Sequence, residues 1–289
     1  PPVLLHEGAS RQNQPEGTPP VRVSVCIPTY NGAEFLAQAI ESVLAQSFHD
    51  FELVIVDDCS TDATLEVIRS FADPRIYLYQ NEKRLGIPAN WNRCLSLARG
   101  EYLCLFHQDD VMLTDNLKLK VRILDADPVI SFVHSAAEVR VEDSAPTSLG
   151  NWIDDATEDF IVDGNVYFRK LFFQNCVCAP AVVTRTQRLR DLGGFDETLG
   201  YAPDYEMWLK MCTESRVAFL SQSLLVYRWH AQNASHVYRF GWGIEDALMA
   251  RRRALHHYVE CTGRREEGEI FWSAFPILAE LERRAAQTE

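Results

Sequence analysis

Two pairs of adjacent carboxylates mark where this chain could do chemistry. Asp57-Asp58 follows the apolar run Phe51–Val56, and Asp109-Asp110 follows Tyr102–His107 and Gln108. A third apolar run ends in Pro28-Thr29-Tyr30-Asn31, which supplies an aromatic ring. Neighbouring carboxylates repel one another unless a cation or hydrogen bonds hold them. A divalent, oxygen-seeking ion such as Mn2+ or Mg2+ answers this with few carboxylates plus phosphate oxygens. Each pair alone also fits a turn or a helix cap, where Asp is common. Two pairs at equivalent strand ends are harder to explain that way. No G-x-G-x-x-G follows the first run and no G-x-x-x-x-G-K-[ST] occurs, which argues against a dinucleotide dehydrogenase and a P-loop NTPase. An acidic rim without a glycine cradle suits a nucleoside diphosphate held through a metal.

The elements that must position these residues can be read from periodicity. Val23–Tyr30 and Phe51–Asp58 are continuous apolar runs, as buried parallel strands require. Ile76–Asn81 and Tyr102–His107 read as the third and fourth strands. Phe35, Ala39, Ile40, Val43 and Leu44 recur at helical spacing. Ser60-Thr61-Asp62 offers caps for a short helix carrying Leu65 and Ile68. Pro88–Arg99 reads as a helix stopped by Gly100, and Leu117–Leu124 as another. Such alternation specifies an open, mostly parallel α/β sheet, whose ligands bind beyond the carboxyl ends of the strands. The second half is less regular. Ile130–Val141 reads as a long strand, 142–164 as an acidic surface loop, and Val166–Gln174 as a helix. Ala181–Thr184 reads as a strand, Asp204–Cys212 as a helix, Val217–Tyr227 as a strand, and the chain from Trp242 as amphipathic helix.

Composition bounds the rest. The chain has 289 residues, 47% hydrophobic and 24% charged, as a globular domain with a real core should. Lys plus Arg number 28 against 41 Asp plus Glu, a net charge of −13. That surface disfavours nucleic acid and anionic lipid. No apolar run approaches the ~20 residues of a transmembrane helix. The eight cysteines form no C-x-x-C pair and read as reduced, mostly buried thiols. No signal segment is recognisable, so a cytoplasmic location is expected, with any inner-membrane contact made through partners. Five prolines and no periodicity make residues 1–20 an expected disordered leader or linker, and a start at Pro1 suggests a fragment of something longer.

Three ordered motifs carry a resemblance. Val23-Ser-Val-Cys-Ile-Pro-Thr-Tyr-Asn31, Phe51-Glu-Leu-Val-Ile-Val-Asp-Asp-Cys-Ser-Thr-Asp62 and Gly100-Glu-Tyr-Leu-Cys-Leu-Phe-His-Gln-Asp-Asp110 resemble glycosyltransferase family 2, inverting enzymes of the GT-A fold. The similarity runs over about 23–235. It implies an α/β, Rossmann-like central sheet flanked by helices. The expected layout is a leader at 1–20, a GT-A domain at 21–235 and a helical extension at 236–289. Within the domain, 21–125 would bind nucleotide and 126–235 the acceptor. Pro28, Thr29 and Tyr30 match the lining of the base pocket. Asp57 matches the carboxylate on the base, usually uracil, and Asp58 the second member of that pair. Asn81, Gly86 and Asn92 match the segment before the fourth strand. Where the family often has Arg before that Asn, this chain has Trp91, which leaves Arg84 or Arg93 to supply positive charge. Gln108-Asp109-Asp110 match the D-x-D element, with Asp110 on the metal, Asp109 on the donor and Gln108 in place of the first Asp.

Leu192-Gly-Gly-Phe-Asp-Glu197 and Tyr201-Ala-Pro-Asp-Tyr-Glu-Met-Trp-Leu-Lys210 resemble the family's GGFDE and ED-x-x-x-W elements. Asp204 falls on the general base, with Pro203 where a Glu is common. His230, in Tyr227-Arg-Trp-His230, matches a histidine that completes the metal or diphosphate site; an ordinary structural histidine is the other reading. Trp208 could stack on sugar or pack in the core, and Arg251-Arg-Arg253 reads as a solvated helical face. The absence of Q-x-x-R-W implies one sugar per encounter. The partners the resemblance implies are a nucleotide-sugar donor, of the UDP class, and a saccharide or lipid-linked glycan acceptor. The C-terminal helices would cover the acceptor site or mediate a homodimer. Two rivals stay open. A nucleotidyltransferase would need a glycine- and arginine-rich loop after the first strand, which Tyr30-Asn31-Gly32-Ala33 is not. A non-catalytic sugar-nucleotide-binding module of a larger protein is compatible with Gln108 and Pro203.

Overall fold

A computed structural model describes residues 4–7, 21–142, 156–233 and 242–287. The continuous apolar runs become strands sunk in the interior. These are β2 (Val23–Thr29), β3 (Phe51–Asp57), β4 (Ile76–Gln80) and β5 (Tyr102–Leu105), and every residue of β3 is buried. With β1 (Leu4–Glu7) they form the parallel half of one sheet, ordered β1-β4-β3-β2-β5. The sheet continues through β9 (Val183–Arg185), β7 (Ile130–Val141), β10 (Arg216–Trp229) and β6 (Val111–Met112), with β8 (Phe160–Asp163) also on β10. β9 runs antiparallel to both β5 and β7, and β6 and β8 run antiparallel to β10.

Helices close both faces. They are α1 (Leu36–Leu44), α2 (Thr64–Arg69), α3 (Ile87–Leu97), α4 (Asn116–Ala126), α5 (Gly164–Phe173), α6 (Thr186–Asp191), α7 (Pro203–Cys212), α8 (Trp242–Thr262) and α9 (Arg265–Gln287). Alternate residues of a strand point to opposite faces. Accordingly Val23, Val25 and Ile27 join the apolar stripes of α1 and α4 on one side. Cys26, Val54 and Val56 belong to the opposite core, with residues of α3, α5, α7 and α8. Each large apolar side chain buried this way contributes roughly 1.5–3 kcal/mol. α8 shares that core through Ala250, Ala254, Leu255 and Tyr258, all fully buried.

The structure departs from the sequence reading in places that share one cause. Leu4–Glu7, inside the expected leader, pairs with the outer edge of β4; the rest of 1–20 lies outside the described residues. The acidic loop ends in β8, and residues 143–155 lie outside the described residues. β6 and β8, two and four residues long, are not visible in the sequence, while the strand read at Ala181–Thr184 is found as β9 at Val183–Arg185. Strands this short carry little alternation, and their direction is set by the edge they meet. Trp208 and Trp229 are 1% exposed, and Trp208 packs against Phe132 and Phe195, so both are core residues. All eight cysteines are free thiols; Cys59 is half-buried and Cys261 exposed.

Candidate active site

Because β4, β3, β2 and β5 are parallel and adjacent, their carboxyl ends form one rim. Thr29 lies in register with Asp57 across β2 and β3. Thr29 Oγ1 donates to Gln108 Oε1 at 2.6 Å, which joins the ends of β2 and β5. The same Gln108 oxygen accepts from the Tyr30 backbone N–H at 3.0 Å, and Gln108 Nε2 donates to the Tyr30 carbonyl at 3.2 Å. Gln108 therefore braces the turn after β2. Gly32 makes room for it, since a Cβ there would stand 2.3 Å from Gln108 Oε1. Asn31, at φ 47°, accepts from the Thr61 N–H and receives Ser60 Oγ on its own N–H, tying this turn to the one after β3.

The two members of the first acidic pair do different work. Asp58 is buried and spends both oxygens on its own chain: Asn81 Nδ2 at 2.9 Å, Leu85 N–H at 2.7 Å and Gly86 N–H at 2.9 Å. It pins the 81–86 loop and the start of α3, where Gly86 sits at φ 89°. Asn81 also reaches Asn90. Asp57 Oδ2 accepts from the Ser60 N–H at 3.2 Å, and its Oδ1 is buried with no partner among the described residues. Burial pushes the Asp57 carboxyl above its ordinary range, against the hydrogen bonds from Ser60. Tyr30 stands beside this pair, half-buried, with the Arg84 guanidinium 3.9 Å over its ring. Pro28 lies one step inside β2, opposite Val56.

Asn92 turns elsewhere. Its amide donates to the Phe195 carbonyl (2.8 Å) and Glu197 (3.0 Å) and accepts from the Phe195 N–H (2.8 Å), bracketing α3 to the Gly194–Glu197 segment.

At the end of β5, His107, Asp109 and Asp110 bring ligand atoms within 4.8 Å of one another. Asp110 Oδ1 accepts from the Arg228 N–H at 2.9 Å; its Oδ2 is buried without a partner and stands 3.8 Å from His107 Nδ1. Burial, then the charge of Asp109, pushes the Asp110 carboxyl well above its ordinary range. Burial holds the His107 imidazole below its ordinary value, so it is neutral and able to coordinate. His107 Nε2 also lacks a hydrogen-bond partner among the described residues, and the ring stacks 5.9 Å from Trp91. Trp91, where the resemblance led to an expected Arg, thus supports a histidine. The orphaned oxygen and imidazole nitrogen, with Asp109 beside them, fit a divalent ion such as Mn2+.

His230 stands one layer back. Its Nε2 lies 3.0 Å from Asp109 Oδ2, while Nδ1 accepts from the Gln232 N–H. Asn233 donates to the same Asp109 oxygen at 3.1 Å and accepts from the His230 N–H at 2.5 Å. The end of β10 is thereby latched to the acidic rim through Arg228, His230 and Asn233. Sequence reasoning missed His107 and Asn233. His107 was visible in the His-Gln-Asp-Asp run, but its side chain acquires meaning only beside Asp110 and Trp91.

Asp204 occupies the first turn of α7, after Pro203. Proline is tolerated there because the first turn has no intrahelical acceptors for its N–H groups. Burial raises the Asp204 carboxyl to about 6, partly offset by the N–H groups of Tyr205 and Asp204. The buried Cys178 thiol, pushed up first by its own burial, feels the charges of both Asp110 and Asp204.

Known proteins agree with this architecture. Residues 24–173 match the model of glycosyl transferase family 2. An uncharacterized protein of Mycobacterium tuberculosis is 30% identical over 71% of this chain and 66% of its own length. The Escherichia coli WfgD, named a UDP-Glc:alpha-D-GlcNAc-diphosphoundecaprenol beta-1,3-glucosyltransferase, is 25% identical over 74% of this chain and 78% of its own. Among solved structures, residues 1–349 of Staphylococcus aureus TarS with UDP-GlcNAc superpose at TM-score 0.70 and 22% identity, over 88% of this chain and 71% of that one. Mannosyltransferase PcManGT of Pyrobaculum calidifontis with GDP-Man and Mn2+ gives 0.61 at 18%, over 96% and 79%. The fold is the GT-A fold. The chain belongs to glycosyltransferase family 2. It spans just under two thirds of the M. tuberculosis relative's length and 26% of a Sinorhizobium fredii relative that is 33% identical.

Proposed function

We propose that this chain is a metal-dependent inverting glycosyltransferase. It moves one sugar from a UDP-sugar to a saccharide or lipid-linked glycan acceptor. The observation that carries this reading is the His107, Asp109 and Asp110 cluster, whose ligand atoms lie within 4.8 Å of one another at the carboxyl end of β5. Asp204, in the first turn of α7 with its carboxyl raised to about 6, is read as the base. A base tuned near the working pH is what deprotonation of a sugar hydroxyl needs, and such catalysis contributes ~10²–10⁴ in rate.

Each residue then has a task. Tyr30 offers its ring to the base, and the unpartnered Asp57 Oδ1 accepts from a ring N–H. One free acceptor suits the single imide N–H of uracil, in line with the UDP-linked donors of WfgD and TarS. Asp110 and His107, with Asp109 beside them, would hold Mn2+ or Mg2+, which when bound supplies Lewis-acid stabilisation of the diphosphate leaving group. His230 and Asn233 orient Asp109. The acceptor oxygen attacks the anomeric carbon opposite the diphosphate. The new C–O bond forms as the old one breaks, and Asp204 takes the proton. One displacement inverts configuration.

A thermal-shift panel of UDP, GDP, dTDP and CMP, each with and without Mn2+, tests this. At ~100 times its dissociation constant a ligand stabilises by about 2.7 kcal/mol. UDP with metal should give the largest shift. A larger shift with GDP would reassign the donor, metal-independent shifts would remove the ion, and no shift at all would leave a non-catalytic module.

A further inference from the structure

The segment that carries Asp204 is held in place by a helix outside the matched family region. Asp246, in the second turn of α8, accepts from the Tyr201 backbone N–H at 2.7 Å. Tyr201 stands three residues before Asp204. Arg253, two turns further along α8, binds Asp196 Oδ2 and donates to Thr198 Oγ1 at 2.8 Å. Between them Arg251, 4% exposed, donates to the Phe172 carbonyl at 2.8 Å and lies 5.1 Å over the Tyr205 ring. The Tyr205 hydroxyl donates to the Leu171 and Phe172 carbonyls at 2.8 and 3.0 Å. Asp204 is therefore bracketed. Its upstream turn is tied to α8 through Asp246 and Arg253, and its downstream neighbour through Arg251.

Leu199, Ala202, Pro203 and Tyr205 are buried around this turn, and Met207, Trp208 and Met211 anchor the body of α7. Packing alone leaves backbone donors unsatisfied, because the first turn of a helix lacks intrahelical partners on its N–H side and needs polar partners from outside. The turn at 198–202 leads directly into the helix that carries the carboxyl. A misplacement of ~1 Å at a reacting group can cost about 10²-fold in rate.

We infer that α8 is part of the catalytic apparatus, with Asp246 a positioning residue that sets the general base from behind. This rests on the reading of Asp204 given above. The N–H groups of Tyr205 and Asp204 oppose the upward push of burial on the Asp204 carboxyl. Loosening its turn admits water, so its ionisation moves down toward the ordinary carboxylate value.

The test uses the whole chain as wild type, Asp246→Ala and Asp246→Asn, each with and without Asp204→Asn. Urea unfolding across pH 4–7 gives the stability difference between the members of each pair, which flattens where Asp204 ionises in the folded state. With Asp246 present the flattening should come near pH 6; with Asp246→Ala it should come at least one pH unit lower. Asp246→Asn keeps an acceptor oxygen for the Tyr201 N–H and should restore the wild-type position. A merely structural role would lower all stabilities in parallel and leave the flattening where it was, which would overturn the inference. UDP release from UDP-glucose and UDP-N-acetylglucosamine is the second readout: Asp246→Ala should lower kcat ten- to a hundredfold with KM for the donor within about twofold. Full turnover by Asp204→Asn would instead defeat the general-base reading itself, whatever Asp246 does.

Discussion

Asp204 is a carboxylate kept where the folded chain resists its charge. Its folded-state value of about 6 lies above the ordinary value of 3.8. The folded chain thus binds the proton more tightly than the unfolded chain, and stability attributable to this group is present at low pH and lost as pH rises through about 4 to 6. Activity has the opposite sign, since the base works only when ionised. We expect transfer to rise through pH 6 and level off above it. Asp204→Asn should lower turnover by at least 10²-fold while raising the melting temperature at pH 7 by a few degrees, with UDP binding retained. A stopped assay over pH 5–8 and a thermal scan check both halves; a fall in melting temperature would mean the carboxylate contributes to the fold. The identity of this residue was legible in the Asp-x-x-x-Trp frame. Its tuning was not, because burial is a property of what packs around it.

At the scale of elements, the rim is assembled by side chains that hold loops. Asp58 pins the 81–86 loop, Gln108 braces the turn after β2, and Asn92 clasps α3 to Phe195 and Glu197. The motif spacing placed all three near the donor, and their hydrogen bonds are spent on the protein. The Asn92 bracket carries three bonds across more than a hundred residues of chain. Asn92→Ala should destabilise by about 1–3 kcal/mol, because it strands partly buried partners. Because these three bonds all run to the protein, nucleotide affinity should stay within a few-fold, as calorimetry at 15 °C would show. A hundredfold loss of UDP affinity with unchanged urea midpoint would mean Asn92 touches the donor directly. Long strands and amphipathic helices were legible, since periodicity over seven or more residues is a strong signal. β6 and β8 were not, because each exists only where a neighbouring edge accepts it, while β9 was legible as a short strand with its bounds shifted by one or two residues.

Across the whole molecule, the two hydrophobic cores differ in reach. One lies under α1 and α4 and runs from Val23 to Trp229; the other runs from Cys26 through Tyr258 and Phe271 to Leu278. The helical extension is therefore an expected requirement for folding. Ending the chain at residue 241 would expose the faces of α5 and α7 that Tyr258, Leu255 and Phe271 cover. Expression should shift to aggregates, and any recovered protein should lose its cooperative thermal transition. A monomeric, cooperatively melting product would show that the domain ends before α8. No helix among the described residues is long and apolar enough to cross a membrane.

By itself the sequence determined the parallel α/β sheet, the acidic ends of its strands and the family. These depend on local apolar runs and on residues adjacent in the chain, which any single stretch displays. Only the tertiary structure decided which carboxylates remain free for a ligand. Asp57 and Asp110 keep an unpartnered oxygen, while Asp58, their equal in sequence, is spent on a loop. It also decided that His107 joins Asp110, that His230 stands behind Asp109, and that α8 reaches back to the turn before Asp204. Those outcomes depend on contacts between residues tens to more than a hundred positions apart, and on burial, neither of which a linear pattern encodes.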